Sequence, residues 1–177
     1  MNLKICGSPI HALQRLVVLS ALVVSANGVL ATETGTVATS ESRDASTAYL
    51  GTSNFVVGRV GRDCLTLLGR TESPQMFVGA WQQRNGTYLM ATQKYMDARF
   101  REAEVTGGVN SRNAVANALN SAVRNGAEAI VKSWLDRPDK QTACKRAVEL
   151  IESGAYDVST STPMYQELEA LVAWAQR

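Results

Sequence analysis

The chain offers few side chains that could carry out acid–base or nucleophilic chemistry. Its one histidine, His11, lies in an N-terminal segment with the pattern of an export signal, so we expect the mature protein to contain no imidazole. Imidazole is the usual general base and a common metal ligand, because its pKa lies close to working pH. The chain also has no Gly-x-Ser-x-Gly motif, and its serines have no histidine to activate them. These features argue against serine hydrolases and histidine-based metal sites.

One carboxylate, Glu152, is a weak candidate for a catalytic role. With Ser153 and Gly154 it resembles the Glu-Ser pair that opens the active-site signature of lytic transglycosylases, helical enzymes that cleave peptidoglycan with one glutamate as general acid and base. The resemblance implies a peptidoglycan-acting hydrolase or transglycosylase that uses carboxylates only. It covers these residues alone, and the glycine-rich stretch that follows in the signature is missing from the chain. A glutamate before a glycine is also typical of an exposed helix end.

A run of alternating charges follows Tyr95 and is the next group of residues that could take part in catalysis. Asp97 and Arg101 lie four residues apart, which is the spacing of an ion pair on a helix surface. Two carboxylates on one face can serve glycosidic hydrolysis. Charges interleaved in this way are more typical of a solvated helix face, which is the interpretation we prefer.

Aromatic and methionine residues form a stripe at helical spacing just before these charges. The stripe consists of Trp81, Tyr88, Met90, Tyr95 and Met96. Tyrosine and methionine can ligate haem iron, and such residues can line a pocket between helices, so a helical ligand carrier is one alternative function. Residues with this spacing more often form a helix-packing core. We therefore predict no cofactor and no metal site.

The N-terminus has the organisation of a secretory signal. Lys4 and Arg15 precede an apolar stretch at 16–24, and small residues follow it. Cleavage after Ala26 or after Ala31 fits the preference for small residues, and we prefer Ala31. The apolar stretch is shorter than the roughly 20 residues needed to span a bilayer. The sequence thus predicts a periplasmic or secreted protein with no stable membrane span after signal cleavage.

Net charge argues against nucleic acid as a partner. The chain has 18 Lys and Arg against 16 Asp and Glu, and the predicted signal removes two basic residues and no acidic ones. The mature protein is therefore expected to be neutral. Binding to nucleic acid depends largely on Lys and Arg that replace counterions on the phosphates, and the chain has no basic run to provide them.

Two cysteines remain after the predicted signal, which itself contains Cys6. An even number of thiols in an oxidising compartment predicts one disulfide, between Cys64 and Cys144. Two buried free thiols are the alternative. The two cysteines are too far apart in sequence for a Cys-x-x-Cys redox motif, so the predicted bond has a structural role.

Apolar residues recur every three or four positions after Thr47, which predicts five helices. The expected ranges are about 48–69, 74–106, 112–135, 140–153 and 163–177, with Ser111 as the expected N-terminal cap of the third helix. Ser73 before Pro74, Asp139, and Thr162 before Pro163 are the expected N-terminal caps of the second, fourth and fifth helices. Asn85-Gly86 is expected to bend or split the second helix, and Gly107-Gly108 is expected to end it.

These elements predict an all-α protein, a compact up-and-down bundle of about five helices with one disulfide. Short connections favour antiparallel neighbours. We expect a signal peptide at 1–31, a short disordered lead at 32–46 and a single helical domain at 47–177. The lead is predicted to be disordered because Val37 is its only large apolar residue.

The leading hypothesis is an exported, non-enzymatic helical interaction protein, such as an inhibitor, an immunity factor or a chaperone. Its partner is expected to be another protein in the cell envelope or outside the cell. The predicted architecture is similar to that of immunity proteins that block secreted cell-wall amidases and to that of small acid-stress chaperones. This similarity concerns the fold alone and assigns no residue a role.

Overall fold

A computed structural model describes residues 41–177, which form five α-helices and no β-strand within that range. The helices are α1 (Glu41–Cys64), α2 (Pro74–Arg84), α3 (Gly86–Leu135), α4 (Lys140–Glu152) and α5 (Tyr165–Ala175). The predicted all-α class is therefore confirmed. The predicted signal peptide at 1–31 and the segment 32–40 lie outside the described residues. None of the five helices is long and apolar enough to cross a membrane.

The start of α1 corrects the predicted disordered lead. The helix begins at Glu41, so the prediction of disorder is wrong for residues 41–46. The Asp44 carboxylate accepts a hydrogen bond of 2.7 Å from the hydroxyl of Tyr95, and Ser46 is fully buried. Local composition suggested disorder because these polar residues bury little apolar surface, but partners distant in sequence order them in the fold.

The predicted second helix is split at Asn85. Ser73 caps α2 as expected, because its hydroxyl oxygen accepts a hydrogen bond of 3.2 Å from the amide of Met76, and Pro74 is the first helical residue. Asn85 has non-helical backbone angles and separates α2 from α3. This confirms the expected break there.

Two glycines divide α3 into two arms. Gly107 and Gly108 have non-helical backbone angles, and Gly108 has a φ of 68°, which favours glycine. We refer to residues 86–106 as the first arm and to residues 109–135 as the second arm. The two arms correspond to the end of the predicted second helix and to the predicted third helix. Ser111, the expected cap of the third helix, is a helical residue within the second arm, because the break lies earlier, at Gly107 and Gly108.

The arms of α3 lie along α1 in opposite directions. Tyr95 of the first arm contacts Asp44 near the start of α1, whereas Phe77 of the preceding α2 lies beside Gly61 near its end. The chain from α2 through the first arm is therefore antiparallel to α1. The second arm returns along α1, where the hydroxyl of Thr52 donates a hydrogen bond of 3.3 Å to the Val123 carbonyl.

Helix α1 is the centre of the structure and packs against each of the other four helices. α3 also packs against α4 and α5, whereas α4 and α5 have no extensive contact with each other in the described region. The expected up-and-down order, in which each helix neighbours the next, is thus only partly present. A central helix surrounded by the others describes the arrangement better.

The predicted disulfide is confirmed. Cys64 at the end of α1 and Cys144 in α4 are bonded, with their Cα atoms 5.2 Å apart and both residues buried. The bond adjoins the main apolar core. The largest fully buried members of that core are Leu50, Val56, Val57, Val60, Leu65, Trp81, Ile151 and Leu168.

The predicted caps of the last two helices have different outcomes. Asp139 caps α4 as expected, since its carboxylate accepts a hydrogen bond of 3.0 Å from the amide of Thr142. The fifth helix begins at Tyr165 rather than at the predicted Thr162-Pro163. The hydroxyl oxygen of Thr162 instead accepts a hydrogen bond of 2.8 Å from the amide of Ser159, so this side chain stabilises the preceding turn and is not a helix cap.

Replacing Gly51 with alanine is expected to destabilise the protein by about 1 kcal/mol, although alanine favours helix formation. An added Cβ atom would lie 2.9 Å from Cγ2 of Val123, a β-branched side chain that cannot easily rotate away. The overpacking cost therefore exceeds the gain in helix propensity. Urea denaturation of the purified variant measures the change.

Gly79 provides the matched control, because it is exposed in α2 and a Cβ atom added there would meet nothing within 4 Å. Gly79→Ala is expected to stabilise the protein by up to about 1 kcal/mol. Adding Val123→Ala to Gly51→Ala should remove the steric contact and reduce the loss assigned to it. Equal effects of the Gly51 and Gly79 substitutions would contradict close packing of α1 against the second arm.

Candidate functional site

The catalytic candidate Glu152 lies in an exposed ion pair at the end of α4. Its Oε1 atom is 2.7 Å from Nη2 of Arg70, and the same guanidinium contacts Glu72 at 2.7 Å. The hydrogen bond to Glu152 raises the pKa of Arg70. A glutamate that acts as a general acid is usually held in an apolar pocket. Glu152 is instead 41% exposed and bound to an arginine, an arrangement typical of a surface ion pair.

The alternating charges near the end of the first arm do not form the predicted pair. Arg99 contacts Asp44 at 3.4 Å and Glu102 at 3.8 Å. No ion pair joins Asp97 to Arg101 or to any other described residue. The Asp97 carboxylate is therefore available to a group from outside the described part of the chain.

The structure divides the aromatic and methionine stripe into a buried half and an exposed half. Trp81 and Tyr95 are fully buried, and burial together with the hydrogen bond to Asp44 raises the pKa of Tyr95. Met90 is 67% exposed, and Met96 is half-buried. Trp81 and Tyr95 thus belong to the core, whereas Met90 and Met96 face an open surface.

Each of the two tyrosines that could ligate haem iron already donates a hydrogen bond to a carboxylate. The Tyr95 hydroxyl donates to Asp44, and the Tyr88 hydroxyl donates to Glu169 at 2.5 Å. Among residues 41–177, no group of three or more His, Cys, Asp or Glu side chains is placed to hold a metal ion. Ligation of haem by either tyrosine would require these hydrogen bonds to break.

The exposed methionines line a groove of about 640 Å³ between α1 and the first arm of α3. We call it the methionine groove. On the α1 side it is lined by Thr47, Gly51 and Asn54, and on the other side chiefly by Gly86, Leu89, Met90, Met96, Asp97 and Phe100. Together with Gln93, the second set recurs every three or four residues, so it forms one face of the arm. Because Gly86 has no side chain and an added Cβ atom there would meet nothing within 4 Å, the groove stays open at that end.

Two polar groups in the methionine groove have no partner among residues 41–177. Thr47 is 4% exposed, and its hydroxyl makes no hydrogen bond there. A buried polar group without a partner costs about 1–3 kcal/mol. Asp97 is the one ionisable residue in the lining. By contrast, Gln82 and Asn54 satisfy each other through a hydrogen bond of 2.9 Å.

The composition of the methionine groove suits an apolar binding partner of variable shape. Methionine is unbranched and polarizable, so its side chain adapts to irregular apolar surfaces. Sequence reasoning identified Met90 and Met96 but assigned them to the core. The spacing of Thr47, Gly51 and Asn54, which puts them on one face of α1, was the signal that could have located the opposite wall.

Comparisons with protein-family models, with curated proteins and with solved structures each find no match to this chain. The chemistry of the methionine groove is therefore the basis for assigning a function.

Proposed function

We propose that this chain is an exported, non-enzymatic interaction protein that binds an amphipathic helix of a partner protein in the methionine groove. The observation that carries the proposal is an exposed methionine-lined groove whose one ionisable residue, Asp97, has no ion-pair partner among residues 41–177. The partner is a protein of the cell envelope or the extracellular space. The role is that of an inhibitor, an immunity factor or a chaperone.

Two features support export. The N-terminus has the charge and apolar pattern of a secretory signal. The Cys64–Cys144 disulfide supports the same location, because such bonds form and persist in oxidising compartments. A periplasmic or secreted location accounts for both features.

The dimensions of the groove favour a helical partner. Along the first arm its lining runs from Gly86 to Phe100, which corresponds to about 21 Å of helix at 1.5 Å per residue. An amphipathic helix can place apolar side chains at i, i+3 or i+4, and i+7 along such a groove. Basic residues beside that apolar face would meet Asp97, so the partner helix is expected to be apolar on one face and basic at its edge.

Filling the groove at Gly86 is expected to abolish partner binding. A Cβ atom at Gly86 meets no atom within 4 Å, so Gly86→Trp can place a large ring at the groove with little strain at its point of attachment. Gly79 is equally open but does not line the groove, which makes Gly79→Trp the matched control. Affinity capture from the native extracellular or periplasmic fraction, followed by mass spectrometry, should recover one partner with the wild type and Gly79→Trp but not with Gly86→Trp.

The charge contribution is tested in the same capture. Asp97→Asn should weaken recovery of a partner with a basic helix, whereas Glu128→Gln on the exposed side of the second arm should not.

Equal recovery by Gly86→Trp would contradict binding in the groove. Turnover of peptidoglycan by the purified protein that is lost in Glu152→Gln would contradict the non-enzymatic assignment.

A further inference from the structure

A second concave site lies between the end of α3 and one face of α4, with a volume of about 660 Å³. We call it the arginine cleft. The lining residues that matter for its chemistry are Trp134, Arg137, Thr142, Arg146, Ala147 and Leu150. None of the residues that line it also lines the methionine groove. A site of this size is within the range that small-molecule ligands occupy.

The walls of the arginine cleft are held in place from outside it. Cys144 fixes α4 to α1 through the disulfide. The Trp134 ring packs edge-to-face on Tyr156, with the ring centroids 5.0 Å apart. The Arg137 guanidinium donates a hydrogen bond of 2.9 Å to the carbonyl of Ser133, which orients it. The cleft is therefore largely formed before any ligand enters.

Positive charge dominates the arginine cleft, because its lining contains two guanidinium groups and one carboxylate. The carboxylate of Asp139 is already engaged, since it accepts hydrogen bonds from the Thr142 amide at 3.0 Å and from the Thr142 hydroxyl at 2.7 Å. These bonds lower the pKa of Asp139. Arg146 donates no hydrogen bond within residues 41–177, so its donors are available to an anion.

Polar and apolar residues occupy different parts of the cleft wall. Thr142, Arg146 and Leu150 succeed one another at four-residue steps along α4, so Leu150 lies two turns beyond Thr142. Ala147 lies beside Arg146 and adds apolar surface without filling the cleft. The ring of Trp134 supplies a larger apolar wall.

We propose that the arginine cleft binds a small organic acid, with its carboxylate at Arg137 and Arg146 and its apolar or aromatic group against Trp134 and Leu150. A planar guanidinium presents several N–H donors in a geometry that matches a carboxylate, which gives both affinity and orientation. The inference is separate from the proposed partner helix, and either can fail without the other.

N-acetyl-L-phenylalanine and its C-terminal amide are suitable probes because they differ only in the carboxylate. Titration of the full chain, followed by isothermal calorimetry and by NMR of the Trp134 indole and the Ala147 amide, measures both affinity and location. The acid should bind at least about tenfold more tightly than the amide, as expected for a charge-assisted hydrogen bond. Its addition should shift both resonances.

Single variants separate the arginines from general surface charge. Arg137→Gln and Arg146→Gln should each weaken binding of the acid about tenfold. Lys145→Gln is the matched control, because Lys145 is next to Arg146 in α4 but does not line the cleft. Its affinity should equal that of the wild type. Equal binding of the acid and the amide, or no shift of either resonance up to the solubility limit, would overturn the proposal.

A second titration, with a peptide, tests whether the ligand is a free acid or the C-terminus of a protein chain. A short peptide that ends in phenylalanine with a free carboxylate presents the same chemistry on a longer chain. Tighter or equal binding of N-acetyl-L-phenylalanine supports the small-molecule assignment. Binding of the peptide at least about tenfold more tightly would overturn that assignment and place a protein C-terminus in the cleft.

Discussion

Loss of the Cys64–Cys144 bond is expected to lower the free energy of unfolding by about 4 kcal/mol. The bond spans 80 residues of sequence, so it removes a large loop-closure entropy from the unfolded chain. Because small domains are commonly stable by only about 5–15 kcal/mol, this loss is a large share of the total. Urea denaturation of the wild type and of the double variant Cys64→Ala, Cys144→Ala measures it.

Cys6 provides the control for the disulfide experiment. Cys6→Ser leaves the bonded pair intact, so the full chain should unfold at the wild-type urea concentration. Reducing agent should lower the stability of the wild type and of Cys6→Ser to the same extent and should leave the double alanine variant unchanged. A wild type whose unfolding is insensitive to reduction would contradict a stabilising role for the bond.

Local signals in the sequence predicted the elements whose ends depend on neighbouring residues. Ser73 with Pro74 and Asp139 begin helices as expected, because each cap forms a hydrogen bond with an amide three residues away. The Asn85-Gly86 pair also marked the position of the break correctly, although contacts with residues distant in sequence hold Asn85 there. The disulfide followed from the number of cysteines and the predicted compartment.

Predictions failed where a partner distant in sequence decides the local structure. Asp44 and Ser46 belong to a segment too polar to fold alone, but Tyr95 engages Asp44 from another helix. Thr162 before Pro163 has the composition of a cap, yet its hydroxyl is used by the turn at Ser159. Periodicity in one segment contains no information about such contacts.

The same limit explains how the methionine groove was missed. Helical spacing placed Met90 and Met96 on one stripe with Trp81, but spacing alone does not show which members face the core. That choice depends on where α1 lies and on the absence of a side chain at Gly86. The groove is therefore a tertiary feature, although each residue in it was visible in the sequence.

Replacement of Asn85 is expected to be nearly as damaging as loss of the disulfide, although only one small polar side chain changes. Asn85 is 1% exposed, and its amide nitrogen donates to the Trp81 carbonyl at 2.9 Å and to the Asp157 carboxylate at 3.1 Å. Its amide oxygen accepts a hydrogen bond of 2.8 Å from the backbone amide of Val158. The bonds to Asp157 and Val158 join the α2–α3 break to the segment between α4 and α5.

Asn85→Leu should lower the free energy of unfolding by about 3 kcal/mol, because it leaves buried polar groups without partners. Asn85→Asp keeps the acceptor for Val158 but places a second carboxylate beside Asp157, so it should also destabilise the protein. Asn117 is the matched control, since it is exposed on the second arm, and Asn117→Leu should change stability by less than about 1 kcal/mol. Similar urea midpoints for the Asn85 and Asn117 variants would show that the buried amide does not hold the break in place.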